Sequence, residues 1–128
     1  MAELNARHFT IEEANLIVGI IRPLFREILE IRQNILRMQA DVWPVIEKSL
    51  GNGGSRTASL AVKEFDQLEE LVRQVQSSGA ILKDINLGLV DFLGEREGRD
   101  VYLCWKYGEA VIEFWHELDS GFSGRQPW

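Results

Sequence analysis

Three polar residues near the end of the sequence have side chains that could perform chemistry. Glu113, His116 and Asp119 stand three apart, and on a helix this spacing would stack two carboxylates around an imidazole. A Glu-x-x-His pair is half of a di-iron signature, which also needs a second pair and two further glutamates. The only other histidine, His8, has no such pair around it. On a strand, residues three apart point to opposite faces, so we predict no metal ion here.

Cys104 offers a second kind of chemistry because it is the single cysteine in the sequence. On a strand next to the strand of His116, its thiol could use the imidazole as a base. Reactive thiols usually lie at a helix N-terminus or beside a cation, and a strand interior offers neither. We therefore favour a buried apolar role for Cys104, and we assign no catalytic residue and no cofactor. A single cysteine also forms no intrachain disulfide, which favours a cytoplasmic protein.

Polar and aromatic residues cluster in the last third of the sequence and are the best candidates for binding a small ligand. The set comprises Asp91, Trp105, Glu109, His116, Asp119 and Arg125. Arg125 follows the flexible stretch SGFSG and suits a two-point contact with a carboxylate, for which Asp91 and Asp119 are the natural partners. Two interpretations stay open. The residues either form a pocket for a small anion around His116 and Arg125, or, as we favour, staple the C-terminal tail.

Composition limits the classes of partner. Hydrophobic residues make up 45% of the 128 residues and charged residues 27%, which is typical of one globular domain spanning 1–128. The formal net charge of −6 disfavours binding to nucleic acid or to an anionic membrane, because such binders need basic faces. The most apolar stretch, LIVGII at 16–21, ends at Arg22 and is too short to span a bilayer.

The first half of the sequence predicts two long helices. Thr10 and Glu13 have the spacing of a capping box, with Phe9 before them as the outer staple residue. Apolar residues then recur alternately three and four apart in a coiled-coil seam: Ala14, Ile17, Ile21, Leu24, Ile28, Ile31, Ile35, Met38, Val42 and Val45. Further apolar residues, among them Val18 and Phe25, widen this stripe beyond a two-helix contact. We predict helix 1 at about 10–50.

Two prolines and a glycine-rich loop interrupt this helical pattern. Pro23 and Pro44 fall inside helix 1, where the apolar period continues past both, so we expect kinks and not an end. GNGGSR at 51–56 predicts the loop of an antiparallel hairpin, and helix 2 is expected at 57–79 with Gly79 as its stop. Helix 1 would extend beyond helix 2, so part of its apolar surface needs another cover.

After Gly79 the pattern changes to short strands separated by turns. We expect strands at 80–83, 89–93, 100–105 and 111–118, a charged turn at 94–99, and a tail at 119–128. Periodicity alone leaves 111–118 open between strand and helix. The predicted fold class is therefore α+β: a long, kinked, antiparallel helical hairpin, coiled-coil-like, followed by a small antiparallel β-meander.

Several long runs of the sequence resemble a bacterial family known as domain of unknown function 2203. They are HFTIEEAN at 8–15, RPL at 22–24, GLVDF at 88–92, RDVYLCWKYGE at 99–109 and WHELDSGFSGRQPW at 115–128. The resemblance implies a helical hairpin with a compact β-rich tail, and so favours a strand at 111–118. It implies no activity and no cofactor.

The wide apolar stripe of helix 1 leads us to expect a structural or interaction module. We expect it to form a homodimer through helix 1 and to present the β tail to an as yet unknown protein partner. The alternative is a small-ligand-binding protein, or a minor enzyme, with its site where the β tail meets the helices around His116 and Arg125. Between these, we favour a protein that is not an enzyme.

Overall fold

The computed structural model describes residues 8–49 and 56–128, with side chains at 8–38 and 62–128. These ranges form two α-helices and a five-stranded antiparallel sheet, so the predicted α+β class is confirmed. The helices are α1 (Ile11–Ser49) and α2 (Arg56–Ser77). The strands are β1 (Ile81–Asp84), β2 (Leu89–Arg96), β3 (Arg99–Lys106), β4 (Phe114–His116) and β5 (Gln126–Pro127), with a 3₁₀ helix at Phe122–Gly124.

The start of α1 follows the predicted capping box. The Thr10 backbone N–H donates to Glu13 Oε1 at 2.9 Å, and the Glu13 N–H donates to Thr10 Oγ1 at 3.1 Å. Phe9 is buried just before the cap and meets the Phe92 ring edge-on at 5.3 Å between centroids. The same short motif therefore starts the helix and attaches it to the sheet.

α1 is helical on both sides of Pro23 and Pro44, so neither proline ends it. Its buried stripe is Ala14, Val18, Ile21, Phe25, Ile28, Ile31 and Ile35. Val18 and Phe25 thus lie at the centre of the stripe, whereas the predicted seam residues Ile17 and Leu24 are half-buried at its side. The buried stripe is rotated around the helix axis relative to the predicted seam, because α1 packs against the sheet as well as against α2. The kinks stay a prediction.

α2 ends where the sequence indicates. Gly79 follows the last turn with a φ of 97°, a left-handed conformation that glycine adopts without strain. α1 and α2 are in contact. The predicted hairpin loop at 51–56 lies outside the described residues except for Arg56, which begins α2, and the hairpin itself stays a prediction. No helix among the residues with described structure is long and apolar enough to cross a membrane.

The sheet is a meander in which each strand pairs with the next along the chain, in the order β1-β2-β3-β4-β5. The predicted turn at 94–99 is too long: β2 and β3 continue to Arg96 and Arg99, joined only by Glu97 and Gly98, which both have positive φ. Segment 111–118 contains a strand and no helix, although β4 has only three residues. β5, inside the predicted tail, was not expected.

The inner face of the sheet forms one hydrophobic core with the helices. Its contributors from the sheet and the β3–β4 connection are Val90, Phe92, Val101, Leu103, Trp105, Ile112 and Trp115. The sheet thereby covers part of the apolar stripe of α1, with Phe25 and Trp105 in edge-to-face contact at 6.0 Å.

The outer face of the sheet is also covered, which the sequence pattern did not indicate. Six consecutive residues of β2, from Leu89 to Gly94, are buried, and alternate residues of a strand face opposite sides. On the outer side the chain returns after β4 as residues 117–125, here called the tail loop, before β5 pairs with β4. The central part of the outer face is therefore an enclosed layer and not a solvent surface.

Candidate functional site

Two ionisable side chains meet in the enclosed outer layer. Asp91 extends from β2 and His116 from β4, and both are buried to the extent of 97% of their side-chain surface. Their strands are separated by β3, so the two side chains meet above it, with His116 Nε2 at 3.0 and 3.1 Å from the Asp91 carboxylate oxygens. The register explains the meeting, because Asp91 lies opposite Cys104 and His116 lies opposite Tyr102.

Hydrogen bonding fixes the orientation of the His116 ring. Its Nδ1 lies 2.7 Å from the carbonyl oxygen of Glu117, which can only accept, so Nδ1–H donates. Nε2 faces the carboxylate of Asp91, and a lone pair cannot face a carboxylate at this distance without a cation between them. In the structure one proton therefore lies between Nε2 and Asp91, whichever group formally holds it.

Cys104 completes the group from β3. Its Sγ lies within 4.8 Å of a ligand atom of Asp91 and of His116. Burial and the nearby negative charge of Asp91 raise the pKa of the Cys104 thiol to about 12. Burial also raises the pKa of Asp91 above its ordinary value, with His116 opposing the change.

A pocket of about 100 Å³ lies between these three side chains and the tail loop. Leu118 and Phe122 of the tail loop form its apolar cover, and Lys83 of β1 stands at its edge. The Lys83 ammonium lies 4.6 Å from the centre of the Tyr102 ring, which in turn packs against His116. The volume suits an ion with bound water or an anion of a few atoms.

A second polar contact attaches the tail loop to the sheet. Arg125 Nη2 donates to both carboxylate oxygens of Glu109, at 2.7 and 2.9 Å. The guanidinium also stacks near two rings, 4.1 Å from the centre of Phe114 and 4.8 Å from that of Phe122. A planar cation between aromatic faces and a carboxylate holds the loop over the outer face.

The other end of the tail loop has its own ion pair. Arg99, at the start of β3, donates to both carboxylate oxygens of Glu117, directly after β4. The hydrogen bond and charge of Arg99 lower the pKa of Glu117 below its ordinary value. This pair is solvent-exposed, so it contributes little to stability compared with the Arg125 contact.

The sequence as a whole places the chain among known families. Residues 7–128 match the model of a family described as an uncharacterized conserved protein, DUF2203. The chain belongs to this family. The resemblance suggested by the motifs is thereby confirmed over nearly the whole length. No curated protein and no solved structure matches the chain. The family description states no activity.

The structure brings together some of the six candidate ligand-binding residues of this DUF2203 chain. Asp91 and His116 are in direct contact. Arg125 and Glu109 form a neighbouring pair, and Arg125 Nη2 also lies 3.5 Å from the Cys104 carbonyl oxygen. The predicted pairing of Arg125 with Asp91 or Asp119 is wrong. Arg125 reaches the loop after β3 and so meets Glu109, while Asp91 is occupied by His116.

The remaining candidates lie elsewhere. Trp105 is buried on the inner face of the sheet, and its indole N–H donates to the Glu109 carbonyl oxygen at 2.8 Å. Asp119 is exposed on the tail loop, and Glu113 is exposed before β4, so neither joins His116. The triad suggested by the spacing of Glu113, His116 and Asp119 therefore does not assemble, as strand geometry predicts.

Cys104 is a member of the pocket that the candidate set omitted. Its position opposite Asp91 depends on the register of β2 and β3, which no local sequence pattern reveals. One signal was available in retrospect: Asp91 interrupts the otherwise apolar run GLVDFL at 88–93, and a carboxylate at a strand centre needs a partner.

Two of the larger clefts on this DUF2203 chain are shallow surface features. One, of about 520 Å³, includes His8, Glu12 and Asp100 beside the start of α1. The other, of about 580 Å³, includes Arg26 and Glu30 on α1. All of these ionisable side chains are exposed, so water screens them. The buried group under the tail loop is the more specific arrangement.

Proposed function

We propose that this protein binds a small polar ligand in the pocket between the outer face of the sheet and the tail loop. The observation that carries the proposal is the buried Asp91–His116 pair on the pocket wall. Removing two ionisable groups from water has a desolvation cost, and an apolar pair would fill the same space without it. Stability of the fold alone therefore does not explain why Asp91 and His116 are buried here. Such groups beside a pocket are typical of binding and catalytic sites.

The pocket favours binding over catalysis. A thiol whose pKa is about 12 stays protonated at neutral pH, so Cys104 is not poised to act as a nucleophile. The imidazole of His116 has both nitrogens engaged, one by a backbone carbonyl and one by Asp91. Neither group stands ready to exchange a proton with a substrate. We propose a binding protein of the cytoplasm, where a single free cysteine stays reduced.

A ligand panel tests this function. The melting temperature of the purified chain is measured with zinc, phosphate, formate and acetate, for the wild type, His116→Asn and His8→Asn. We expect at least one ligand to raise Tm in the wild type and in His8→Asn, because binding to the folded state alone stabilises it, and not in His116→Asn. Equal shifts in all three proteins, or none in any, would contradict the proposal.

A second candidate function is self-association, and exposed apolar residues on both helices support it. Leu16 and Ile20 lie four apart on α1 with 72% and 59% of their surface exposed. Val62 and Phe65 lie three apart on α2, more than half exposed. Residues at these spacings share a helix face, so each helix presents an apolar strip that a second copy of the chain could cover. We propose a homodimer through the long helix of the hairpin.

This second candidate is compatible with the first, because the strips are on the helices and the pocket is on the far side of the sheet. A protein partner for the β tail remains part of the proposal, whereas the net charge of −6 continues to disfavour nucleic acid. Light scattering at high micromolar concentration decides between the states: a strict monomer would refute the dimer and leave the pocket unaffected.

A further inference from the structure

Three potential metal ligands converge in the pocket, one from each of three neighbouring strands. A carboxylate oxygen of Asp91, Sγ of Cys104 and Nε2 of His116 all lie within 4.8 Å of one another, and all three residues are buried. In a tetrahedral zinc site with bonds of 2.0 to 2.3 Å, the ligand atoms are roughly 3.3 to 3.6 Å apart. Small adjustments of the side chains would bring these atoms to that spacing.

The orientation of His116 matches that of a metal ligand. A coordinating histidine almost always donates its second ring N–H to a carboxylate or a backbone carbonyl, which fixes the tautomer. His116 donates Nδ1–H to the Glu117 carbonyl oxygen at 2.7 Å, which leaves Nε2 directed at Asp91 and Cys104. The position between Nε2 and the carboxylate needs a cation, and a metal ion can take the place of the proton there.

Charge also balances when a divalent ion enters this site. Before binding, the Asp91–His116 pair holds one proton and the Cys104 thiol holds another, so the group is neutral overall. A divalent ion that displaces both protons meets one carboxylate, one thiolate and a neutral imidazole, and the sum is again zero. The exchange therefore buries no uncompensated charge, which would otherwise be very costly in this layer.

The ligand set and the pocket indicate which metal fits. Thiolate and imidazole ligands select zinc and similar transition metals over magnesium or calcium, which prefer oxygen ligands. Among the residues that the structure describes, the group has three members, and the pocket of about 100 Å³ beside it can hold a water molecule as the fourth ligand.

Taken together, these observations lead us to propose that Asp91, Cys104 and His116 bind one zinc ion in tetrahedral geometry, with the fourth position open to the pocket. This inference rests on the proposed ligand-binding function and names its ligand. The site differs from the spacing-based triad, because only His116 is common to both. Phe122 and Leu118 of the tail loop would then shield the ion from bulk water.

Cobalt substitution tests the site on the full-length, reduced protein after treatment with a chelator. Co²⁺ is titrated into the wild type, Cys104→Ser, His116→Asn and His8→Asn, followed by competition with Zn²⁺. We expect one Co²⁺ per chain, with tetrahedral visible bands and a thiolate-to-cobalt charge-transfer band in the wild type and in His8→Asn. Cys104→Ser should lose the charge-transfer band, and loss of either ligand should weaken zinc binding by at least about 100-fold.

His8→Asn is the matched control, since it removes the only other histidine, which is exposed and pairs with Asp100 at the surface. Far-ultraviolet circular dichroism establishes that each variant is folded before titration. A folded wild type that binds no Co²⁺ or Zn²⁺ stoichiometrically would overturn the zinc site, as would a cobalt spectrum unchanged by Cys104→Ser. If zinc does not bind, and an anion still raises the Tm of the wild type but not that of His116→Asn, the proposed ligand-binding function stands. Only the proposed zinc site is then contradicted.

Discussion

At the residue scale, His116 has contacts with two other strands of the outer-face site and with the start of the tail loop. It is hydrogen-bonded to the chain just after its own strand and to Asp91 across β3, and its ring lies 5.5 Å from the Tyr102 ring at an angle of 54°. Its imidazole cannot be removed without leaving the carboxylate of Asp91 buried and without its partner. The energy of the fold and the chemistry of the pocket therefore depend on the same side chain.

Replacing His116 should destabilise the protein much more than replacing the other histidine. His116→Ala breaks a fully buried pair and leaves Asp91 without its partner, which costs about 3 to 5 kcal/mol. His8→Ala removes an exposed pair with Asp100 and should change the free energy of unfolding by less than about 0.5 kcal/mol. Urea unfolding followed by circular dichroism measures both. Equal losses of unfolding free energy in the two variants would show that the buried pair contributes no more to stability than the exposed one.

The pH dependence of zinc binding follows from the proton count. Below a pKa of about 12 the Cys104 thiol is protonated, and one further proton lies between His116 and Asp91, so two protons leave as zinc binds. Lowering the pH should weaken zinc binding, by about 100-fold per pH unit while both protons are held. The cations that face this group are Lys83, near Asp91, and Arg125, near Cys104. Calorimetry in buffers of different ionisation enthalpy checks the count, and a pH-independent affinity would contradict it.

At the element scale, the pocket exists because the tail loop covers the outer face of the sheet. It leaves β4 at Glu117, which is held by Arg99, and reaches β5 after Arg125, which is held by Glu109. The half-buried Arg125 contact combines hydrogen bonds to both carboxylate oxygens of Glu109 with close approach to the rings of Phe114 and Phe122. We regard it as the principal anchor of the loop.

A conservative substitution separates the shape of Arg125 from its charge. Arg125→Lys keeps a cation but loses the planar guanidinium, so it should destabilise the protein by about 1 to 2 kcal/mol. Backbone amides of residues 117–125 should then exchange with deuterium faster than in the wild type. Arg73→Lys on α2, where the arginine is exposed and paired with Glu69 and Glu70, is the control and should change neither property. Unchanged exchange in Arg125→Lys would show that charge alone holds the loop.

Local signals predicted most elements and few of their contacts. The capping box at Thr10, the stop at Gly79 and the meander are each set by residues close in sequence, so pattern and turn chemistry were sufficient. β5 has two residues, too few for any periodicity. The pairing of Asp91 with His116 and of Arg125 with Glu109 depends on strand register, which is set by the whole sheet. The predicted ligand-binding set therefore contained all four residues of these two pairs. The partners predicted for Arg125, however, were wrong.

At the scale of the whole molecule, the two proposed surfaces lie on opposite layers. The helices expose Leu16 and Ile20 on one side, and the tail loop encloses the pocket on the other. A dimer formed through the helices would leave both pockets accessible. The protein would then present two ligand sites facing away from a helical centre.

A double variant on α1 tests the dimer. Leu16→Gln with Ile20→Gln makes the exposed strip polar without changing charge, and should yield monomers at a concentration where the wild type is dimeric. Arg26→Gln with Glu30→Gln is the matched control, because both residues are exposed, lie four apart on α1 and leave the net charge unchanged. Analytical ultracentrifugation measures the mass. Identical sedimentation of all three proteins would contradict association through this strip.

The zinc site under the tail loop is the most specific claim about this molecule, and anomalous diffraction tests it directly. Crystals grown with zinc are measured on both sides of the zinc absorption edge. We expect one anomalous peak per chain, bonded at about 2.0 to 2.3 Å to His116 Nε2, Cys104 Sγ and an Asp91 carboxylate oxygen. A well-occupied peak at other residues, with Asp91 and His116 still hydrogen-bonded to each other, would contradict the account.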